Sequence, residues 1–556
     1  MRTRLDTHEV FNQSPPYEDV DLFQADLPLR EAVEREASGA NVARRLSVFG
    51  IACGSAKAAE LARLANENPP RLRTFDGKGH RVDRVEYHPA YHELMARSFA
   101  EGLHCSTSEH PGGSGARPQT GANVVRAAGF YMAVQMEPGH CCPVTMTHAA
   151  VPTLELQPDV SRPWLAAIRS RSYDPAPLPL AKKSSVTIGM GMTEKQGGTD
   201  VRANTTRAVP CGAAGPGREY LLTGHKWFLS APMSDAFLVL AQTERGLSCF
   251  LLPRLNPDGT LNGLYLQRLK DKLGNRSNAS SEVEFRDARA WLIGEEGRGV
   301  PNIIEMVTRT RLDCAISSAA LMRQALATAV HHARHRSVFG KRLADQPLMG
   351  EVLADMALDV EAATALVFRL ARAFDLADDP RAGAFARLMT PVTKYWVCKI
   401  APALVCEAME CLGGNGYVEE GTAARTYREA PVNAIWEGSG NVMALDVLRV
   451  LQREPEAAES VLEDLAAAIG DDRELKAGLA RIEAMLHEPR LLDRRGRTLA
   501  DTLAALVAGS LLRAHAPSAV ADAFIATRVV GRPGQTYGVG IDWADSRAIL
   551  DRVLPS

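Results

Sequence analysis

The sequence predicts an α+β fold, mostly α, in which helical segments flank one β-rich region. Three observations lead there. Alanine-rich stretches with apolar residues three and four positions apart run from 27 to about 64, and again over 91–101 and 123–136, the period of a helix with one buried face. Between about 184 and 294 the texture changes to short β-type runs at 205–209, 220–223, 237–241, 247–252 and 281–285, separated by turn residues such as Asn256-Pro-Asp-Gly259. Beyond Gly299 long helical patterns return at 302–333, 349–375, 381–412 and 429–452, enough for a helical bundle.

Taken in order, the chain divides into an arm (1–26), an N-terminal helical domain (27–183), a middle β domain (184–294), a helical bundle (295–452) and an additional helical domain (453–556). Pro15 and Pro16 exclude regular helix from the arm, and Phe11, Tyr17 and Phe23 are apolar anchors with which it lies on another surface. Pro69-Pro70 stops the first helical run, and 110–121 is a Gly/Pro-rich loop. Prolines across 171–183 mark the boundary to the β domain, whose short strands suit a small barrel or sandwich. The last region is alanine- and leucine-rich and helical, with a Gly-rich tail around 532–542.

Composition sets limits on function. The 556 residues are 46% hydrophobic and 23% charged, as in a globular protein of several domains. A net charge of -2 gives no global attraction to nucleic acid or anionic membrane, so any such contact needs a local patch. Ten cysteines without a C-x-x-C pair suit a reducing compartment. No apolar run approaches the length of a membrane span, and a cytoplasmic location is expected.

The stretch 188–201, Ile-Gly-Met-Gly-Met-Thr-Glu-Lys-Gln-Gly-Gly-Thr-Asp-Val, organises the rest. Its apolar lead-in reads as a strand edge. Gly197 and Gly198 let main-chain N–H groups approach a ligand, and Thr193 and Thr199 add hydroxyls. It is neither a Walker loop nor a G-x-G-x-x-G turn. A hairpin with two turn glycines accounts for it equally well.

Four motifs break that tie. Met192-Thr-Glu-Lys-Gln-Gly-Gly-Thr-Asp200, Gly224-His-Lys-Trp-Phe-Leu-Ser230, Arg336-Ser-Val-Phe-Gly-Lys-Arg-Leu-Ala-Asp-Gln346, and Gly413-Gly-Asn-Gly-Tyr417 joined to Trp436-Glu-Gly-Ser-Gly440 occur in this order. Together they resemble the acyl-CoA dehydrogenase flavoprotein superfamily. The segments 7–13, 190–198, 271–280 and 431–441 narrow the resemblance to its AidB-like branch, linked to the bacterial adaptive response to DNA alkylation.

The resemblance implies FAD, an acyl-CoA-like small-molecule substrate, a homo-oligomer (a tetramer) and the family fold of helical domain, small β-barrel and four-helix bundle. It would place Met190, Met192, Thr193, Gly198, Thr199, Phe228, Leu229 and Ser230 around the flavin ring. Hydroxyl and N–H donors there stabilise negative charge on reduced flavin. Phe228 taken alone would be a core aromatic; its motif makes it a wall of the ring site. Arg336, Phe339 and Gln346 would hold the FAD of a neighbouring subunit, with Arg336 forking onto pyrophosphate. Gly413 and Gly414 would approach the ADP half, where Glu410 replaces the family's Gln. Ile435, Trp436, Glu437, Gly438, Ser439 and Asn441 complete the cofactor set.

Glu437 is the expected catalytic base, with Arg311 beside it; Thr310 stands where other family members carry a competing glutamate. The alternative is a buried Glu437 paired with Arg311 or Arg428 and doing no chemistry. His331 and His335 are four apart on one helix face, but no third ligand accompanies them, and no metal is expected. The resemblance also implies non-specific double-stranded DNA binding through the C-terminal region. From 450 to 556 there are 13 Arg/Lys against 16 Asp/Glu. Arg494, Arg495 and Arg497 nonetheless cluster with Arg490, and Arg513, Arg528 and Arg532 follow; a backbone-phosphate patch and a solvated face are both compatible with this.

Overall fold

A computed structural model describes residues 7–37, 39, 41–108, 121–531, 536–541 and 544–554. Residues 110–120 of the expected loop and 532–535 and 542 of the tail, Arg532 among them, lie outside these residues.

The first helical run is three helices, Leu27–Glu36, Val42–Cys53 and Ala56–Glu67. Asp26 caps the first, its carboxylate accepting from the Leu29 N–H. After Pro69-Pro70 the chain makes a β-hairpin, Arg71–Phe75 with Arg81–Glu86, between the first two expected helical runs. Its signal was present as period-two alternation around the Gly77 to Gly79 turn. Helices Pro89–Glu101, Ala122–Met136, Cys141–Glu155 and Pro158–Ile168 follow.

The β domain closes as a small barrel rather than a sandwich. Ala236–Thr243 pairs with Gly246–Pro253, that strand with Ser280–Ile293, and Ser280–Ile293 with Glu219–Ser230. Arg207–Pro210 joins Glu219–Ser230 back to Ala236–Thr243, and Ile188–Gly191 extends the same edge in parallel. A strand at Leu264–Leu269, not anticipated, adds to Ser280–Ile293. The register shifts between Lys226 and Leu229, so the strand bends there and re-aims its side chains. Leu229 is fully buried, whereas Phe228 is 48% exposed.

Helix Gly299–His335 is the hub. It packs on the bundle helices Pro347–Asp375 and Pro380–Cys411 and on the N-terminal helices Ala122–Met136 and Cys141–Glu155. Its apolar residues are therefore buried on several faces instead of one stripe. The additional C-terminal helices do not form a core of their own. Helix Pro489–His515 packs on Pro347–Asp375, Pro380–Cys411 and Gly440–Arg453, and its apolar residues join the core shared by the N-terminal and bundle helices.

Two expectations change here. The run 429–452 is not one helix: Ala423–Glu429 gives way to a 3₁₀ segment, Ala430–Ala434, then to a turn, and helix Gly440–Arg453 starts afterwards. Pro431 removes a helical N–H, and Glu437 and Gly438 take positive φ (57° and 106°), which a helix does not allow. In the arm, Phe23 is buried and Tyr17 partly so, but Phe11 is 78% exposed and anchors nothing within one chain.

Candidate active site

The loop after Ile188–Gly191 is both things the sequence allowed. Glu194 and Gly197 exchange backbone hydrogen bonds in a miniature hairpin, with Gly197 at φ 150°. A Cβ on Gly198 would lie 2.4 Å from the Thr193 hydroxyl, so glycine permits this close fold. The hairpin is fastened to the next motif by Glu194 and Lys226, both fully buried and 2.8 Å apart. Lys226 also donates to the Leu240 carbonyl at 2.7 Å, and the Thr205 and Thr206 N–H groups donate to Glu194 at 2.7 and 3.2 Å. Burial works to raise the Glu194 pKa, but Lys226 and these donors outweigh it and bring it down to about 2. Met190, Met192 and Trp436 share one apolar cluster, which sets the barrel edge against the Glu437 turn.

Glu437 projects from a left-handed backbone position. Its carboxylate accepts from the Thr310 hydroxyl at 2.6 Å. Arg311 does not neutralise it: the guanidinium donates to the Glu437 main-chain carbonyl at 3.0 Å and pairs with Asp446 at 2.7 Å. Lys394 donates to the Gly438 carbonyl at 2.6 Å. Arg428, the other proposed partner, pairs with Glu419. Among the described residues Glu437 thus makes no ion pair, and burial raises its pKa against the Thr310 bond and the Lys394 and Arg311 charges. Arg311, expected beside the base, and Lys394 both donate to main-chain carbonyls of the turn.

A support that sequence reasoning quoted only as a motif lies behind this turn, in 271–280. Lys272 donates to the Asn278 carbonyl at 2.7 Å and the Ser280 hydroxyl at 3.1 Å, and Ser280 lies 3.3 Å from the Ser230 hydroxyl. Asn275 donates to Glu429 at 2.8 Å, and Ser277 to Glu137 at 2.8 Å. One loop so ties the barrel to the bundle and to the N-terminal helices. Nothing short of the fold reveals Glu137 and Glu429 as its partners, which lie 140 and 154 residues away.

The residues expected on the ADP side are linked by the arm. Arg336 donates to the Asn12 carbonyl at 2.5 Å, the Asn12 side chain bonds Ser337, and Gln13 meets Asn415 at 3.5 Å. Neighbouring arm residues therefore bring the Arg336–Gln346 and Gly413–Tyr417 motifs together. Gln346 donates to the Val338 carbonyl at 3.1 Å. Phe339 is 98% exposed at φ 52°, and Gly413 has a backbone, φ 61° and ψ −145°, that only glycine adopts readily. A Cβ on Gly413 or Gly414 would meet nothing within 4 Å. Thr199, Ser439 and Asn441 are exposed, and Ile435 is 66% exposed.

These residues fit FAD: an open apolar wall at Phe228, hydroxyl groups at the barrel edge, Ser439 and Asn441 at a helix N-terminus, and a glycine turn with room beside it. Of the expected DNA residues, Arg494 and Arg497 are exposed on helix Pro489–His515, and Arg495 pairs with Glu488 at 2.8 Å. Arg528 is committed elsewhere, buried against Asp355 and Asp359, and its guanidinium is not offered to phosphates. Arg513 pairs with Asp472 and Asp522. His331 bonds the Pro15 carbonyl at 2.9 Å, and no metal-holding group of three or more His, Cys, Asp or Glu occurs among the described residues.

Such a barrel and bundle with a glutamate turn define the acyl-CoA dehydrogenase class, FAD-dependent oxidoreductases that act on CH–CH bonds. Residues 189–288 match the acyl-CoA dehydrogenase middle domain and 297–452 its C-terminal domain. Residues 12–175 match the N-terminal domain of the adaptive response protein AidB. The chain is 46% identical over 529 residues to the AidB protein of Escherichia coli (strain K12), covering 95% of each chain. It is 32% identical to acyl-CoA dehydrogenase family member 11 of Caenorhabditis elegans over 90% of this chain and 84% of that one. The chain belongs to the AidB branch of the acyl-CoA dehydrogenase family, and FAD is its cofactor. The crystal structure of C. elegans ACDH-11 in complex with C11-CoA has TM-score 0.86, 29% identity, and coverage of 99% and 98%. An acyl-CoA dehydrogenase complexed with FAD from Bacillus anthracis shares the fold at TM-score 0.62 and 18% identity, over 84% and 81%. No described helix is long and apolar enough to cross a membrane.

Proposed function

We propose that this flavoprotein oxidises a short or branched acyl-CoA, of the isovaleryl type, at the α,β bond, with Glu437 as the base. The single observation that carries this is the Glu437 carboxylate, held by Thr310 at 2.6 Å and without an ion pair among the described residues. An unpaired carboxylate can take the α-proton, whereas one neutralised by arginine is a weaker base. Lys394 and Arg311 hold the main chain of the turn, so the side chain keeps its aim. FAD, when bound, supplies the acceptor for the β-hydride. Exposed Phe339, Leu348 (78%) and Tyr417 (80%) support assembly into a tetramer around the ADP-side residues. The test is anaerobic titration of the FAD-loaded protein with isovaleryl-CoA: the flavin absorbance should bleach. A flavin that no acyl-CoA reduces would overturn the reading.

A second reading, a DNA-protective role in the alkylation response with weak dehydrogenase activity, draws on the C-terminal helix. Arg490, Arg494 and Arg497 are spaced four and three apart, so they share one exposed helix face, with Asp501 at its end. Phosphate contacts without base readout suit such a stripe. Reversing Arg494 and Arg497 to Glu should abolish duplex binding at low salt and leave the flavin spectrum unchanged. Failure of the wild-type protein to bind duplex at any salt would end this reading.

A further inference from the structure

A cavity of about 830 Å³ opens at the seam between the N-terminal helical domain and the barrel, lined by residues outside the expected flavin set, within the size range of small-molecule sites. One wall is aromatic. The Tyr87 and Tyr91 rings stack at 4.3 Å with a 16° interplanar angle, and the His92 ring nitrogen Nδ1 lies 3.0 Å from the Tyr173 hydroxyl. Arg254, only 6% exposed, lines the same cavity. Its Nε–H donates to the Ser234 carbonyl at 3.2 Å, and its other N–H groups have no partner among the described residues. The Ser234 hydroxyl, also lining the cavity, is buried without a hydrogen bond. Lys183, by contrast, is satisfied by the Asp174 and Ala176 carbonyls and by Asp235 at 3.2 Å. Asp235 is near enough to stabilise the Arg254 charge, and its carbonyl accepts from the Arg254 main-chain N–H at 2.9 Å, but among the described residues neither it nor Asp174 forms an ion pair with the guanidinium.

We infer that this cavity is a second ligand site, which takes a small aromatic monocarboxylate with its carboxylate on Arg254 and Ser234 and its ring against Tyr87 and Tyr91. The guanidinium N–H groups that make no protein hydrogen bond reach the cavity, where a planar carboxylate fits the fork bidentately. A dianionic phosphate fits less well, because Asp235 and Asp174 lie on the same lining. The tyrosine pair gives the ring a flat apolar surface.

The test is calorimetric titration of the FAD-loaded full chain with 2-naphthoate and with its neutral amide. Saturable 1:1 binding of the acid, with none by the amide, is expected. Arg254→Gln should weaken it by about ten-fold or more, and Arg254→Lys, which keeps the charge and loses the fork, by less. Loss of bound FAD or of thermal stability would show that the arginine variants do not fold. In that case Leu261→Trp, which fills the cavity with Arg254 in place, should abolish binding. No saturable binding, equal binding of the amide, an unaffected Arg254→Gln, or loss of binding in Glu437→Gln, which would relocate the ligand to the flavin edge, overturns the assignment.

Discussion

Two carboxylates of the barrel–bundle junction, Glu194 and Glu437, stand in opposite electrostatic situations. Glu194 is fully buried and has every need met: Lys226 at 2.8 Å and main-chain donors from Thr205 and Thr206. Glu437 has one hydroxyl, Thr310, while the nearby Arg311 spends its guanidinium on Asp446 and on a carbonyl. One pKa is driven down and the other up. Burial acts in the same direction on both, so the partners decide. A satisfied carboxylate builds structure; an unsatisfied one beside a cofactor site is available for proton transfer.

The contrast can be broken most sharply at Glu437. Replacing it with Gln should slow flavin reduction by an acyl-CoA about 10³-fold with FAD still bound, read by stopped-flow absorbance; an unchanged rate would mean that another group takes the proton. Next in size is Lys226→Met, which strands Glu194 as a buried charge. It should cost about 3–5 kcal/mol, seen as a lowered Tm and lost FAD, and Glu194→Gln in the same chain should recover part of it. Because the Glu194 pKa is depressed when folded, the contribution of this pair is present above the ordinary value of 4.5. It is lost as pH falls through about 2, so the difference between wild type and the double variant should shrink in acid. The smallest effect is expected from Thr310→Val. Removing the donor disfavours the carboxylate form, so the rising limb of the pH–rate profile should move to higher pH; a shift to lower pH would contradict the assignment of that limb to Glu437.

Much of the fold was legible. Helical period, short strands and long helices placed the three main regions, and the Met192, Lys226, Arg336 and Trp436 motifs named the cofactor. The hairpin Arg71–Phe75/Arg81–Glu86 falls in the stretch after Pro69-Pro70 to which the sequence reading gave no element, because two short strands carry too few apolar residues to stand out. The break inside 429–452 was missed because the apolar spacing continues across a turn whose positive φ angles no pattern of side chains announces. The loop 271–280 was legible as a motif but not as a clamp, since its acceptors come from the N-terminal helices and the bundle.

By itself the sequence determined the family and the cofactor, because local motifs encode backbone shape and donor type within a few residues. Only the tertiary structure decided which charges are free. Arg528 and Arg494 look alike in a string of letters, yet the first meets Asp355 and Asp359 across 173 and 169 residues and the second meets solvent. Glu437 lies next to arginine-rich segments and is left unpaired because Asp446 and Glu419 claim those cations. Arg254 sits among ordinary barrel residues and faces an aromatic cavity. Charge pairing is a property of distance in space, and folding sets that distance.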